Sequence, residues 1–531
     1  SGPLSGDAVT GRLALGYASR DGVYRHVSGG RDADAVDIFS WRATLAMHPS
    51  DRVALTLRTD GLRDRGTPGF FSSTDLAVPG SPTPLPPRNI DNGVPNMLRR
   101  DIAGVSLTAV ATFGGTTLTS ISAYRHSQYI ASVDDDQRQA ELLAADDFGD
   151  DSELWSQELR LDGKIGGRLS WLVGAYFLDQ TTRTDRTLAI GSGLGIPGKP
   201  RLTTRGSVTT RSYAAFGNLD WRMTDRLTLA AGLRYTYERK AARFVQDDET
   251  GIFSFLGLPD IVFAGRSSDE DVSPTVSLTY ALAPAIRIYG RVARGFKSAA
   301  FNVDLASSPH GLVAGPEHAT TYEAGVKADL LGRRVALALT GFHTDYSDLQ
   351  VAQIMGGGTV LNNAGQSSID GFEVELTARP LDGLRLEGSA GYADARYDRF
   401  DNCAVPLSEG GGAANCAGKR LTGAPQVTAH GAAEYLQRTG FGSVTGRIEA
   451  NYQSSVYFDP TNSDRFRGRA RTLLNARLGL QLPNWTASFW IENLTDETYE
   501  TYRDDRTALG VLRTTAYGPP RTYGVTVTRQ F

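Results

Sequence analysis

The chain has 531 residues, a net charge of −4 and a hydrophobic fraction of 40%. That length suits three or four soluble domains, yet no Pro/Gly/Ser-rich linker divides it into self-contained blocks. No apolar run approaches the ~18 residues that a membrane-spanning helix requires, and the near-neutral charge offers no electrostatic footprint for a nucleic acid.

What recurs instead is period-two alternation of apolar and polar residues, the mark of strands. In chain order it places strands near 10–19, 34–47, 52–62, 101–113, 116–132, 152–163, 168–182, 207–222, 226–239, 271–283 and 285–297. They continue near 318–330, 333–346, 367–379, 384–397, 423–437, 442–457, 470–482, 484–496 and 519–531. In one of the cleanest, Thr472, Leu474, Ala476, Leu478 and Leu480 share a face, while Arg471, Asn475, Arg477 and Gln481 share the other. The last strand sets Tyr523, Val525, Val527 and Phe531 against Thr522, Thr526, Thr528 and Gln530. One greasy face and one charged face, with no second layer to cover the grease, suit a sheet with lipid outside and water inside. The expected fold class is all-β, an antiparallel transmembrane β-barrel of about 20 strands.

Connections alternate in length. Short turns fall at 48–51, Gly114-Gly115, 163–167, 223–225, 380–383 and 483–484. Long loops fall at 63–100, 133–151, 183–206, 240–270, 298–317, 398–422, 458–469 and 497–518. Periplasmic turns and extracellular loops of outer-membrane barrels divide in this way. Trp171, Trp221, Trp485 and Phe531 sit beside short turns, as an interfacial aromatic girdle would. Arg529 falls on the lipid face, where a charge near the interface costs only ~0–1 kcal/mol.

The two cysteines, Cys403 and Cys416, bracket a Gly-rich stretch, and no His or Cys completes a zinc pattern around them. A disulfide in an extracellular loop, stabilising by ~3 kcal/mol, is the expectation; two free thiols or a metal site are the alternatives. The acidic loop with Asp134, Asp135, Asp136, Asp146, Asp147, Asp150 and Asp151 lacks the spacing of a calcium loop and reads as a solvated surface. No nucleophile–base motif, phosphate loop or zinc spacing appears, so neither enzymatic activity nor a cofactor is expected. The opening Ser-Gly-Pro-Leu-Ser-Gly has no charged segment leading into an apolar one, and the chain reads as a piece of a longer precursor.

Several stretches resemble TonB-dependent outer-membrane receptors. They are Ser156-Gln-Glu-Leu-Arg-Leu161, Ala293-Arg-Gly-Phe-Lys-Ser298, Thr321-Tyr-Glu-Ala-Gly-Val-Lys327 and Phe342-His-Thr-Asp-Tyr-Ser-Asp-Leu-Gln350, then Glu492-Asn-Leu-Thr-Asp-Glu-Thr-Tyr499 and Gly518-Pro-Pro-Arg-Thr-Tyr-Gly524. The resemblance implies a 22-stranded barrel, of which residues 1–531 would be the barrel domain. An N-terminal plug, a TonB box and the first barrel hairpin would then lie upstream. It further implies a monomer in contact with outer-membrane lipid and lipopolysaccharide. Through the inner-membrane TonB complex it would import a scarce bulky ligand, most often a ferric siderophore. Cobalamin, a glycan or an aromatic compound are other cargoes for this family, and a passive porin is the reading from outside it.

Within that frame, Arg465, Phe466, Arg467 and Arg469 crowd the loop 458–469, and Tyr457 lies just before it. Guanidinium forks with an aromatic face suit an anionic ferric siderophore; lipopolysaccharide phosphate or plain solvation would suit them too. Phe70 and Phe71 in the first long loop are further candidates, either touching ligand or buried against other loops. Inward charges such as Arg234, Glu238, Arg447 and Glu449 are expected to pair across the lumen and to meet the plug. With the first hairpin upstream, strands 10–19 and 519–531 should form the seam, flanking a slot about two strands wide; a ring squeezed shut at 20 strands is the alternative.

Overall fold

The computed structural model describes residues 1–6, 8–69, 72–76, 84–136, 139–355, 358–507 and 511–531. One antiparallel sheet of 21 strands dominates it. Its strands pair in simple sequential order, each with the next long strand along the chain, from Val9–Arg20 with Val36–Ser50 to Trp485–Glu492 with Thr522–Arg529. Helix is reduced to single turns such as Ile252–Phe255. Two-residue connections need special backbone: Gly114 and Gly115 both have positive φ, 58° and 83°. That is the requirement of the tight hairpin turn whose twist matches its strands.

The register puts one apolar set outside. Across three neighbouring strands Ile448 faces Ala476, which faces Ile491; one step along, Leu478 faces Phe489, which faces Val525. Leu478, Phe489 and Val525 are all exposed in the isolated chain, as lipid-facing residues are. The opposite face is charged. There Arg447 bridges Glu387 at 2.9 Å, Glu449 at 3.1 Å and Glu434 at 3.7 Å, and Glu449 accepts from Asn475 at 3.0 Å. Arg234 lies over the rings of Tyr176 and Phe216 at 5.5 and 5.6 Å, and Glu238 pairs with Lys240 at 3.4 Å. Arg529 covers the rings of Trp485 and Phe531, 5.1 and 4.6 Å from their centroids, which keeps its charge at the rim.

Three stretches expected as loops are instead largely strand. Leu143–Ile165, Leu169–Ile190, Arg201–Arg222, Leu227–Asp248 and Ile261–Ala283 run 22 or 23 residues. A tilted strand crosses the bilayer in ~9–11 residues, so about half of each stands above it. The lipid no longer demands an apolar outer face there, and alternation stops marking the ladder. The inner face of this extension is packed: Leu202, Phe244 and Ile261 are buried with Ala306, Leu312, Phe253 and Leu258 from the loops that fold over them.

The extra strand is Gly2–Ser5, which lies ahead of the first strand read from the sequence, near 10–19. It pairs only with the rim end of its neighbour, Gly2 facing Gly11 and Ser5 facing Val9. Among the described residues no ladder joins Thr522–Arg529 to Gly2–Ser5 or to Val9–Arg20. Above the membrane the loops of the two ends meet. Val511–Tyr517 pairs with Glu500–Arg506 and with Ser72–Leu76, so the last long loop shares a small sheet with the first. Tyr24 donates to the Tyr517 carbonyl at 2.9 Å, and Arg88 to the Gly518 carbonyl at 2.7 Å.

Face assignment gives a direct expectation. Leu478→Arg, which puts a cation on the lipid side near mid-bilayer, should cost ~2–4 kcal/mol in urea-dependent folding into phospholipid vesicles. Arg477→Gln, on the inner face, should stay within about 1 kcal/mol of wild type. Equal losses from the two would contradict the assignment.

Candidate functional site

The mouth of the barrel is built from the loops at 398–426, 454–470 and 493–521. Val456–Tyr457 pairs with Arg467–Gly468 in a short hairpin. Its tip is held by Asp459, which accepts from the Thr461 and Ser463 backbone at 2.9 and 3.0 Å, and by Ser463, whose hydroxyl accepts from Arg465 N–H at 3.2 Å. Phe466, only 2% exposed, wedges the hairpin down. Two guanidinium groups then converge on one ring: Arg467 stands 5.6 Å and Arg420 5.7 Å from the Tyr457 centroid. Arg467 also donates to Ser455 Oγ at 2.9 Å, and Arg420 to the Ala424 carbonyl at 2.9 Å.

Against this hairpin lies a cavity of about 500 Å³, with Gln353, Tyr397, Gln453, Phe458, Arg471 and Tyr502 on its wall. Small-molecule sites span ~300–1,000 Å³. Gln453 and Arg471 sit on the inner register of their strands, opposite in phase to the outward Tyr452 and Thr472 they flank, so the cavity faces the pore. Arg471 is fixed in place: it donates to Gln453 at 2.8 Å and to the Glu500 carbonyl at 3.0 Å, and lies 4.7 Å from the Tyr499 ring centroid. Phe458 and Tyr502 pack at 5.5 Å. Burial, with Asp504 adding, pushes the Tyr502 hydroxyl up to about 12, so it stays protonated across the physiological range.

Two buried acids hold the loops around the cavity. Glu500 pairs with Arg503 at 3.0 Å and Arg469 at 3.4 Å. Burial alone would raise its carboxyl, but the two cations hold it below the usual glutamate range. Asp504 and Asp135 each lie 2.9 Å from Arg506, tying the last loop to the 133–136 turn. On the other wall Cys403 and Cys416 are joined, their Cα atoms 6.1 Å apart, and are buried with Tyr397 and Phe400. Gln353 accepts from the Ala404 N–H in the same crossed loop at 2.5 Å.

The residues singled out from sequence are distributed unevenly. Tyr457 and Arg467 come together, with Arg420 as a third member. Arg469 is turned towards Glu500. Arg465 makes no ion pair among the described residues, and its carbonyl accepts from Arg503 at 3.2 Å and Arg513 at 3.4 Å. Phe466 is structural filling. Phe70 and Phe71 lie outside the described residues. Arg471, Tyr502, Phe458 and Gln353 line the cavity without having been chosen as ligand residues. The interleaving of Tyr499, Tyr502 and Tyr517 with Arg503, Arg506 and Arg513 was the available signal, since it repeats the composition of 457–469. Five of the seven aspartates of the acidic loop are spent on partners within the chain. Asp134 accepts from Gly93 at 2.7 Å, Asp136 from Leu142 at 2.8 Å, and Asp150 pairs with Arg186 at 3.0 Å. Among the described residues, no three or more His, Cys, Asp or Glu converge as metal ligands.

A sheet of this size with charged interior and aromatic mouth has known counterparts. The model of the family described as TonB dependent receptor-like, beta-barrel matches residues 40–494. The chain belongs to that family. This TonB-dependent receptor barrel of the outer membrane is 26% identical over 317 residues to the pesticin receptor of Yersinia enterocolitica, covering 59% of this chain and 43% of that protein. It thus spans less than half the length of the curated relatives it matches. Among solved structures, the ferric yersiniabactin uptake receptor FyuA from Yersinia pestis aligns with a TM-score of 0.83 at 21% identity, over 100% of this chain and 76% of that one. The siderophore receptor PiuA from Acinetobacter baumannii gives 0.78 at 17% identity, over 98% and 77%. At those identities the two structures speak for the fold.

The buried Glu500 makes the mouth of this receptor barrel pH-sensitive. Its carboxyl is lowered in the folded state, so its contribution is complete above the unfolded glutamate value of ~4.3 and is lost as pH falls through the lower folded value. Hydrogen exchange of 500–506, corrected for intrinsic rates, should lose protection on acidification below about pH 4. Glu500→Gln should show reduced protection already at neutral pH and no further step. The same acid step in Glu500→Gln would assign it to another group.

Proposed function

We propose that the chain is the barrel of a receptor that captures an anionic, aromatic-bearing metal chelate, a ferric siderophore, at its mouth for active uptake. The observation that carries this reading is the inward cavity of about 500 Å³ with Arg471 and Tyr502 on its wall and the Arg420–Tyr457–Arg467 cluster at its edge. Guanidinium groups bind carboxylate, catecholate or phenolate oxygens through paired charge-assisted hydrogen bonds, and the rings stack on planar chelating groups. That two structural relatives are a ferric yersiniabactin uptake receptor and a siderophore receptor supports the same cargo class.

In the whole protein a plug would fill the lumen against the charged wall around Arg447, and would move when the inner-membrane TonB complex pulls on it. One further strand ahead of this chain, with the remainder of the strand to which Gly2–Ser5 belongs, would complete the sheet between Thr522–Arg529 and Gly2–Ser5. Family membership supports both, and an unplugged barrel this wide would leak.

Equilibrium binding to the full-length receptor tests the cargo, using ferric siderophores with cobalamin and neutral glycans as comparators. Loss of one charged hydrogen-bonding group costs ~1.5–3 kcal/mol. Arg471→Gln should therefore weaken ferric-siderophore binding about tenfold or more. Arg420→Gln with Arg467→Gln should weaken it as well, while Arg465→Gln should have little effect. Tight binding of a neutral glycan that none of these variants disturbs would assign the cavity to a different cargo.

A further inference from the structure

Above the membrane one edge of the sheet stands open. Between Ile261 and Pro274 the strand Ile261–Ala283 pairs only with Leu227–Asp248, because its ladder to Ile286–Lys297 begins at Thr275, which faces Ala293. The hydrogen-bond phase decides which backbone groups this leaves over. Ala281 N–H donates to the Arg226 carbonyl at 2.7 Å, and bonds to a given neighbour recur at every second residue. Along the unbroken register, odd-numbered residues therefore bond to Leu227–Asp248, and even-numbered ones turn the other way. Val262, Ala264, Arg266, Ser268 and Glu270 thus present a row of N–H and C=O groups with no hydrogen-bond partner among the described residues.

Natural sheet edges are guarded by bulges, prolines or lysines. The register from 261 to 270 has no bulge, and neither Lys nor Pro falls within it. Past Lys297 the chain turns inside rather than along the edge: Phe301 meets Phe263 at 6.2 Å, and Ala299 N–H donates to the Asp269 carboxylate at 3.1 Å. All five residues of the row are exposed, Val262 to 86%. Val272, lower on the same face, lies opposite Tyr235 at the outer rim, so the row stands above the lipid.

The outward face beside this edge is cationic. Arg266 lies in the row itself. One strand back, Arg243 faces Ala264 and Arg239 faces Ser268, so only a small side chain separates each guanidinium from the edge. Arg239, Arg243 and Arg266 are exposed, and none has an ion pair or a side-chain hydrogen bond among the described residues. We infer that this edge docks a partner protein by strand addition, the partner supplying an extended segment with carboxylates at alternate positions. Its backbone completes the ladder from Val262 to Glu270. Its carboxylates, opposite Ala264, Arg266 and Ser268, meet the three arginines through charge-assisted hydrogen bonds. In docking of this kind the main chain supplies affinity and alternate side chains supply selectivity.

Fluorescence anisotropy with the detergent-purified full-length receptor tests this. The probes are a short labelled peptide of alternating Glu and Val, the same peptide with Gln in place of Glu, and the Glu peptide N-methylated at each Glu. N-methylation removes the N–H groups that the ladder needs and keeps the charge. Wild type should bind the first peptide about tenfold more tightly than either of the others, a comparison that needs no variant. Arg239→Gln, Arg243→Gln and Arg266→Gln together should remove the preference for Glu over Gln. Arg205→Gln, on a strand further from the edge, should preserve it. Ser268→Pro deletes an N–H that faces the open edge rather than the existing ladder. It should weaken the Glu peptide about tenfold while circular dichroism reports an intact barrel. Equal binding of the N-methylated peptide by wild type overturns the proposal, because charge alone would then hold the probe. Equal binding of the Gln peptide, or undiminished affinity in a folded Ser268→Pro variant, overturns it as well.

Discussion

Everything in this molecule answers to one constraint: inside lipid, each backbone N–H and C=O must find a partner in the protein. A sheet meets it only by pairing every strand on both sides, which is why 20 long strands follow one another in plain sequential order. Once the ladder is fixed, the side chains have just two destinations. Outward residues must be apolar, as Leu478 and Val525 are; inward residues are free to carry charge, and Arg447 with its three glutamates shows the result. Above Thr522–Arg529 the loops are heavily tied together, Val511–Tyr517 pairing with both Glu500–Arg506 and Ser72–Leu76.

Above the membrane the constraint relaxes, and the structure changes character. Ladders continue, but they are now chosen by packing among loops rather than enforced by lipid. The three-stranded sheet of Ser72–Leu76, Glu500–Arg506 and Val511–Tyr517 joins the two ends of the barrel sheet. Glu500 holds it through a buried ion pair with Arg503, and Arg506 through a half-buried one with Asp135. Breaking one partner of such a pair strands the other charge, a loss of ~3–5 kcal/mol. The shape of the cavity at the mouth, with Tyr502 on one wall and Tyr397 on the other, is therefore set by electrostatics in the loops as much as by the barrel beneath.

The boundary between these regimes is also the boundary of what the sequence discloses. Residues 471–481 announce their strand because lipid on one side and water on the other force an alternation that any reader can see. Residues 201–206 and 240–248 form equally good ladders, but Arg, Thr, Ala and Phe there answer to a local packing of loops, and no period survives. Gly2–Ser5 is too short to alternate at all. At the mouth, composition pointed to the right region: Tyr457 and Arg467 do meet. It could not say that Phe466 would be buried, or that Arg469 would turn to Glu500 from a loop some thirty residues on. Arg471 hid in plain view, because an inward arginine on a strand looks like any other lumen charge until Tyr499 and Tyr502 fold over it.

A receptor that captures cargo and a pore that merely passes it differ in energy coupling. Uptake of a radiolabelled ferric siderophore by cells carrying the full-length receptor, with and without an uncoupler, separates them. With the proton gradient collapsed, the label should stay bound at the cell surface and its entry should stop. Continued entry at an undiminished rate would contradict active transport and leave a passive channel in its place.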